Sequence, residues 1–384
     1  MKTSEVIEKE KKYLMSTYSR PPFVLDYGKG CYVWDKEGKK YLDLIGGIGS
    51  CLIGHGNKGL ATVIQKQSQK MITPTNLYYS EPQVFLAEKL VKISGLGHVF
   101  FSNSGTEANE CAIKLARKAT KRSNIITVRF GFHGRTFGSL AGTWDEKYKK
   151  DFGPHVPGFT IVPENDLVAV ENSITDQTAA VLIEPIQGEA GVKFFDKQYL
   201  HSLRDLCTKK GILLILDEVQ SGNGRTGTFF AYQQYGILPD IVTVAKGLAN
   251  GIPIGATIAK KELNFSQGLH GSTFGGNPLA CSAALYVMNM VEKKNLMKNA
   301  SIMGNYFVAQ LRNIRSPFIT EIRGMGLMIG VELTKEGKEI VQQCADQGLL
   351  INCAHKQTLR FLPSLIITKK EINKAIAILR KVLV

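Results

Sequence analysis

Four short stretches of this sequence place chemically capable side chains where an apolar run stops. Ile212-Leu213-Leu214-Ile215-Leu216 ends in Asp217-Glu218-Val219-Gln220, and an acid at the end of a buried strand is costly unless it meets a cation. A helix cap or a surface ion pair is the ordinary use of such an acid. Ile241-Val242-Thr243-Val244-Ala245 is followed by Lys246 and Gly247. A lysine there ordinarily snorkels to water, yet a desolvated lysine has a lowered pKa and can form a Schiff base. Phe101-Ser102-Asn103-Ser104-Gly105-Thr106-Glu107 turns a strand directly into a helix. Unpaired N–H groups, the hydroxyls of Ser104 and Thr106 and the positive helix end then converge on one point, which suits an anion and above all a phosphate. Gly131-Phe132-His133-Gly134-Arg135-Thr136 sets an aromatic ring, an imidazole and a guanidinium within four residues. Such a loop is either plain surface with a core Phe or a stacking platform beside a carboxylate clamp.

Singly, each has a bland structural reading. Jointly, a phosphate cradle, a strand-end lysine, a buried acid and an aromatic platform are what pyridoxal phosphate requires: an amine for its aldehyde, an acid for its ring nitrogen and a face for its ring.

These residues need elements to hold them. Short apolar runs at His98 to Ser102, Asn124 to Arg129, Ala179 to Glu184, Ile212 to Leu216, Ile241 to Ala245 and Ala256 to Ala259 read as strands. They alternate with helical patterns at Leu60 to Met71, Pro82 to Ile93, Thr106 to Thr120, Tyr199 to Lys210 and Leu279 to Lys294. Alternation of this kind predicts an α/β fold with a largely parallel sheet covered by helices, and ligands beyond the carboxyl ends of its strands. An N-terminal helix from Ser4 to about Met15, a hairpin through Lys36-Glu37-Gly38 and a Gly-rich loop from Gly46 to Gly56 precede it. After Leu279 the texture changes to strands at Ile319 to Arg323, Leu327 to Leu333, Leu349 to Asn352 and Leu359 to Phe361, closed by an amphipathic helix from Lys370 to Leu383. The expected plan is an N-terminal segment (1–50) that joins a small domain, a large cofactor-binding domain (51–290) and a C-terminal small α+β domain (291–384).

Composition narrows the classes. The chain has 384 residues, 44% of them hydrophobic, which excludes disorder and leaves room for a large core. No apolar run reaches the roughly 18 residues that span a bilayer, and MKTSEVIEKEKKYLM is no signal peptide, so a cytoplasmic, membrane-free protein is expected. The 7 cysteines are scattered without a C-x-x-C pair and read as small core residues, with neither disulfides nor a metal site. The formal charge of +15 is local: Cys111 to Lys150 and Ile351 to the C-terminus hold nearly all of it. A localised basic surface fits an acidic partner, although on charge alone solvated Lys-rich helix faces come first as its explanation. Nucleic acid is not expected, because the motifs are of cofactor type.

In order along the chain, Ser104-Gly105-Thr106-Glu107-Ala108-Asn109-Glu110, Phe132-His133-Gly134-Arg135, Glu184-Pro185-Ile186-Gln187-Gly188-Glu189, Asp217-Glu218-Val219-Gln220, Gly224-Arg225-Thr226-Gly227, Lys246-Gly247, Ser272-Thr273-Phe274-Gly275-Gly276-Asn277-Pro278 and Arg323-Gly324-Met325-Gly326-Leu327 carry a resemblance. From about Tyr27 to its end the chain resembles the class III, ornithine-type, pyridoxal-phosphate aminotransferases. The resemblance implies fold type I, the aspartate-aminotransferase architecture, and a homodimer with active sites at the subunit interface. It implies Lys246 as the Schiff-base lysine and proton shuttle, Asp217 on the ring nitrogen, Gln220 on the ring hydroxyl and Phe132 stacked on the ring. Ser104, Gly105 and Thr106 fall to the phosphate, with Thr273 reaching it from the partner subunit. Arg135 falls to the remote carboxylate of the substrate, with Ser272 beside it. Arg360 falls to the carboxylate on the reacting carbon of glutamate, and Glu189 to neutralising that arginine when an ω-amine binds instead.

Within the family, Tyr41-Leu42-Asp43-Leu44-Ile45-Gly46-Gly47 and Gly54-His55-Gly56-Asn57 resemble the acetylornithine branch and its relatives in lysine synthesis, which act on a chain held by a small acidic carrier protein, LysW. Gly56-Asn57, Thr143-Trp144-Asp145-Glu146-Lys147-Tyr148 and the run from Arg323 to Leu333 are nearer the carrier-dependent relatives. The expected reaction therefore moves an amino group between glutamate/2-oxoglutarate and a LysW-linked lysine or ornithine semialdehyde, in lysine or arginine biosynthesis. Free N-acetylornithine is the alternative donor, or both serve; ornithine and 4-aminobutyrate rank behind. On the carrier reading, the basic stretch Lys114 to Lys150, with that of Lys356 to Lys381, surrounds the mouth of the site. Asn223, Ala190 and Lys58 depart from the family pattern and are expected to touch no cofactor contact.

Overall fold

The apolar runs that end in polar residues pair edge to edge in one seven-stranded sheet. A computed structural model of the chain describes residues 1–383. The strands are β1 (His98–Ser102), β2 (Asn124–Val128), β3 (Phe159–Val162), β4 (Thr178–Ile183), β5 (Leu213–Asp217), β6 (Ile241–Val244) and β7 (Gly255–Ala259), in the order β1-β7-β6-β5-β4-β2-β3. Only β7 runs antiparallel to its neighbours. Every residue of β4, β6 and β7 is buried, because helices cover both faces of such a sheet. The expected α/β core, with its mostly parallel sheet, is thus the observed one.

Helix α1 (Gly105–Thr120) leaves the end of β1 and carries Ala108, Cys111, Ala112, Leu115 and Ala116 inward at helical spacing. Its N-cap is Ser104, whose hydroxyl accepts from the N–H of Glu107 at 3.3 Å. The two chain ends share a second sheet, in which Leu349–Leu350 pairs in parallel with Leu42 and Asp43. A third, antiparallel sheet joins Ile319–Met325, Met328–Leu333, Thr358–Phe361 and Asn352–Ala354.

Several elements escaped the periodicity. The helix Leu296–Arg312 buries Leu296, Ala300, Met303, Phe307 and Leu311, but Asn299, Ser301 and Gly304 interrupt its apolar stripe. Its N-cap Asn295 is left-handed and makes no side-chain cap bond. Helix Lys338–Asp346 and strand β3 were hidden in the same way, being short and bounded by polar residues. All seven cysteines are free and six are buried. Among the described residues no helix is long and apolar enough to cross a membrane.

Part of the basic stretch lies away from the carboxyl edge of the sheet. Helix α1 has 16 residues, about 24 Å of axis, and carries Arg117 and Lys118 away from its N-terminus. Arg117 donates to the carbonyl of Pro157 at 2.8 Å and Lys118 to that of Asn264 at 2.6 Å. Arg122 donates to the carbonyls of Thr178, at the amino end of β4, and of Gly211. In the second stretch Arg360 is buried. Part of this charge thus fastens loops, while Arg135 lines the cavity and Lys147 the crevice beside it.

Candidate active site

Asp217 closes β5, Lys246 follows β6, Glu184 follows β4 and α1 begins just after β1, so four side-chain sets meet beyond the carboxyl ends of the strands. They line one cavity of about 270 Å³ together with Gly105, Thr106, Phe132, Arg135, Glu189 and Gln220.

Asp217 is held from three elements. Its Oδ2 accepts from Asn109 Nδ2 at 2.7 Å and lies 2.9 Å from His133 Nδ1; its Oδ1 accepts from the N–H of Val219 at 3.1 Å. Asn109 is fixed in turn by Thr243, whose hydroxyl donates to its Oδ1 at 2.8 Å, and by its own donation to the His133 carbonyl at 2.6 Å. An acid with this many buried partners points one way only. Asn109 and Thr243 were not singled out from the sequence, although a buried Asn in an otherwise apolar helix stripe is a legible signal. Glu184 was missed as well. It is buried and accepts from the N–H groups of Phe132 (2.9 Å) and Gly188 (3.1 Å), and burial next to Asp217 pushes its carboxyl up to about 7.

Lys246 has φ +39°, a left-handed conformation that costs a non-glycine residue of order 1–3 kcal/mol. Burial pushes its amine below the usual lysine range; Glu189 pulls the other way and Arg360 adds to the lowering. Asn223 donates to the carbonyl of Ala245 at 2.9 Å, one bond from the lysine. That position was expected to touch no cofactor contact; it bonds the strained peptide that carries the lysine.

Glu189 sits in the turn of the two-stranded hairpin Ile186–Gln187/Lys193–Phe194. Its Oε1 accepts from Arg360 Nη1 at 2.7 Å and from Gln220 Nε2 at 3.3 Å. Burial alone would raise this carboxyl, but the Arg360 guanidinium, Lys246 and Gln220 bring it down to about 2. Arg360 also donates to the Gly188 carbonyl at 3.0 Å and to Gln220 Oε1 at 3.1 Å. Gly188 has no room for a side chain, since a Cβ there would lie 2.1 Å from Gln220 Oε1.

At the start of α1 the N–H groups of Gly105 and Thr106 precede the first intrahelical bond, from Ala108 to Ser104. A Cβ on Gly105 would meet Val219 Cγ1 at 2.6 Å, so the backbone itself forms the cradle. Phe132 meets Tyr148 edge to face at 5.5 Å, and the Arg135 guanidinium lies over Tyr148 at 4.4 Å. Ser104 spends its hydroxyl on the helix cap. Ser272 and Thr273 lie outside this cavity. Ser272 accepts from Gly275 N at 2.9 Å, and Thr273 lines a separate recess with Tyr78 and Pro74.

A desolvated amine, an oriented carboxylate, an aromatic face and a free helix N-terminus around one cavity fit pyridoxal phosphate. The family model for aminotransferase class-III matches residues 14–383. The acetylornithine aminotransferase of Methanocaldococcus jannaschii is 49% identical over 98% of this chain and 97% of its own. That of Caldanaerobacter subterraneus is 47% identical over 98% and 99%. Among solved structures, ornithine aminotransferase from Toxoplasma gondii superposes with a TM-score of 0.96 at 30% identity, covering 100% of this chain and 94% of that one. Acetylornithine aminotransferase from Elizabethkingia anophelis gives 0.89 at 30% identity, covering 100% and 99%. The chain belongs to the class III aminotransferases, fold type I enzymes whose cofactor is pyridoxal phosphate.

Proposed function

We propose that this enzyme moves the terminal amine of N-acetylornithine to 2-oxoglutarate, as a homodimer. The observation that carries the reading is the Glu189–Arg360 pair, 2.7 Å apart at the cavity wall. Glutamate brings a carboxylate on its reacting carbon and an ω-amine does not, so the site needs an arginine whose counter-charge can be withdrawn and restored. The names of the relatives at 49% and 47% identity support the same donor.

Pyridoxal phosphate, when bound, supplies the electron sink that lets an amine leave one carbon skeleton for another. Gly105 and Thr106 hold its phosphate, with Ser104 fixing the helix end; Phe132 covers its ring, Asp217 holds the ring nitrogen and Gln220 the ring hydroxyl. Lys246, whose amine burial lowers below the usual lysine range, takes a proton from the reacting carbon's side and returns it. Arg135 takes the remote carboxylate of either substrate; Ser272, outside this chain's own cavity, has no place in that contact here. Arg360 takes the near carboxylate of glutamate once Glu189 turns away. Thr273 serves the phosphate of the partner's site.

A LysW-linked donor is the second reading, favoured by the placement of Trp144, Lys147 and Tyr148 along the crevice beside the cavity, with part of the basic stretch spent on fastening loops. The test compares N-acetylornithine, ornithine, 4-aminobutyrate and LysW-linked lysine as donors to 2-oxoglutarate, with the visible absorbance followed on adding glutamate. The expected result is an absorbance shift with glutamate and N-acetylornithine as the best small donor. A steep preference for the LysW-linked donor selects the second reading, and no shift with glutamate refutes both.

A further inference from the structure

Beyond Glu189 the cavity continues into a narrow crevice that shares Phe132 and Glu189 with it and is walled by Phe130, Trp144, Tyr148 and His355. Three of these rings form a box. Phe130 lies 4.5 Å from Trp144 and 5.4 Å, edge on, from His355; Trp144 and His355 are 6.4 Å apart. Phe130 and His355 are held at φ +67° and +45°, and Lys356 at +63°. Left-handed backbone at bulky residues is costly and persists where the surroundings dictate where a side chain stands. The box is also ringed by cations. Lys193 Nζ lies 4.1 Å and Arg129 Cζ 4.6 Å from the Phe130 centroid. Lys147 pairs with Asp145 and Arg129 with Glu164, whereas among the described residues neither Lys193 nor Arg135 has a carboxylate in ion-pair range.

These observations bear on the end of the donor remote from the reacting amine. Arg135 lines the cavity and stands over Tyr148, which walls the crevice, so a donor whose carboxylate it holds would bring its α-nitrogen to the junction of the two. A free α-ammonium there gives up water and meets the unpaired cations Lys193 and Arg135, while the carboxylates on the same wall, Asp145 and Glu189, are already engaged by Lys147 and Arg360. An acylated nitrogen is neutral and flat, and lies against aromatic faces without that penalty. We infer that Phe130, Trp144 and His355 form the wall that selects N-acylated diamino acids over those with a free α-amine. This inference rests on the proposed reaction and assigns its donor specificity to residues that touch neither the cofactor nor the near carboxylate.

The test measures kcat/KM for N-acetylornithine and ornithine, and the glutamate half-reaction, in the unaltered holoenzyme and in Trp144→Ala, Trp144→Phe and His355→Ala. Loss of the ring is expected to lower kcat/KM for N-acetylornithine roughly tenfold or more while ornithine and glutamate change little, with Trp144→Phe recovering most of the preference. Equal losses for both donors, or an unchanged ratio, overturn the wall. Should the unaltered enzyme accept glutamate but neither ornithine nor its N-acetyl form, the proposed donor fails. The wall is then judged by the same ratio for N-acetyllysine over lysine in the same variants.

Discussion

At the scale of single residues, Glu189 balances two opposed demands. Burial favours its neutral form, yet Arg360 and its neighbours hold it down at about 2, so it stays ionised at any working pH and the arginine stays compensated. Glu189→Gln keeps the shape and removes the charge, leaving a buried guanidinium uncompensated whenever an ω-amine is bound. The ω-amine half-reaction is expected to fall roughly a hundredfold in kcat/KM, about 2.7 kcal/mol, and the glutamate half-reaction only a few-fold. Equal losses in single-turnover measurements would refute the switch. Asn223 gives a second case. It bonds the peptide that precedes Lys246, while its own Oδ1 is buried without a partner. Asn223→Met therefore exchanges one lost bond for one removed orphan and should alter stability by no more than about 1 kcal/mol. Without the anchor the strained lysine loses its aim, and kcat is expected to drop roughly tenfold. A variant with unchanged kcat would show that the anchor is idle.

At the scale of elements, the decisive positions are strand ends, and there the sequence was most legible. Apolar runs stopping at Asp217 and Lys246 announced both buried strands and the chemistry beyond them. The adjacent acids show why: Asp217 turns to the cavity, whereas Glu218 turns away and accepts from Ala231 N, Tyr232 N and the Ser221 hydroxyl, as alternation along a strand requires. What stayed hidden depended on contacts distant in sequence, such as Thr243 on Asn109 or Asn223 on Ala245. The joint beneath the site is of that kind. His55 Nε2 lies 2.8 Å from Asp43 Oδ2, tying the N-terminal hairpin to the loop whose Leu52 packs against Gly247. The bond to Asp43, with a smaller contribution from Cys51 and against the effect of burial, raises the imidazole from 6.5 to about 10. The folded state thus keeps a proton that the unfolded chain releases above its own pKa. The stabilisation is complete below about pH 6.5 and is lost as pH rises toward 10. Thermal midpoints should fall by a few degrees over that range, and His55→Gln should flatten the decline. A parallel decline in the variant would assign the pH dependence elsewhere.

At the scale of the whole molecule, the surface near Ser272 and Thr273 carries an exposed apolar patch. Leu77, Tyr78, Tyr79 and Phe274 are 86%, 70%, 101% and 59% exposed. They do not stand on loose chain, because Asn76 donates to the carbonyls of Ser272 (2.8 Å) and Gly275 (2.9 Å) and accepts from Gln83 at 2.7 Å. A pinned apolar patch costs solubility unless another surface meets it, and a second copy of this chain would receive Thr273 at its own cavity. The paired substitution Tyr79→Glu with Phe274→Glu places charge in that contact and leaves the core untouched. The expected outcome is a halved mass by light scattering, an unfolding midpoint still cooperative, and activity reduced by roughly two orders of magnitude, since each site then lacks what its partner lends. At high protein concentration part of that activity should return as the copies re-associate. A monomer with full activity would mean that each chain completes its own phosphate site and that Thr273 serves no neighbour.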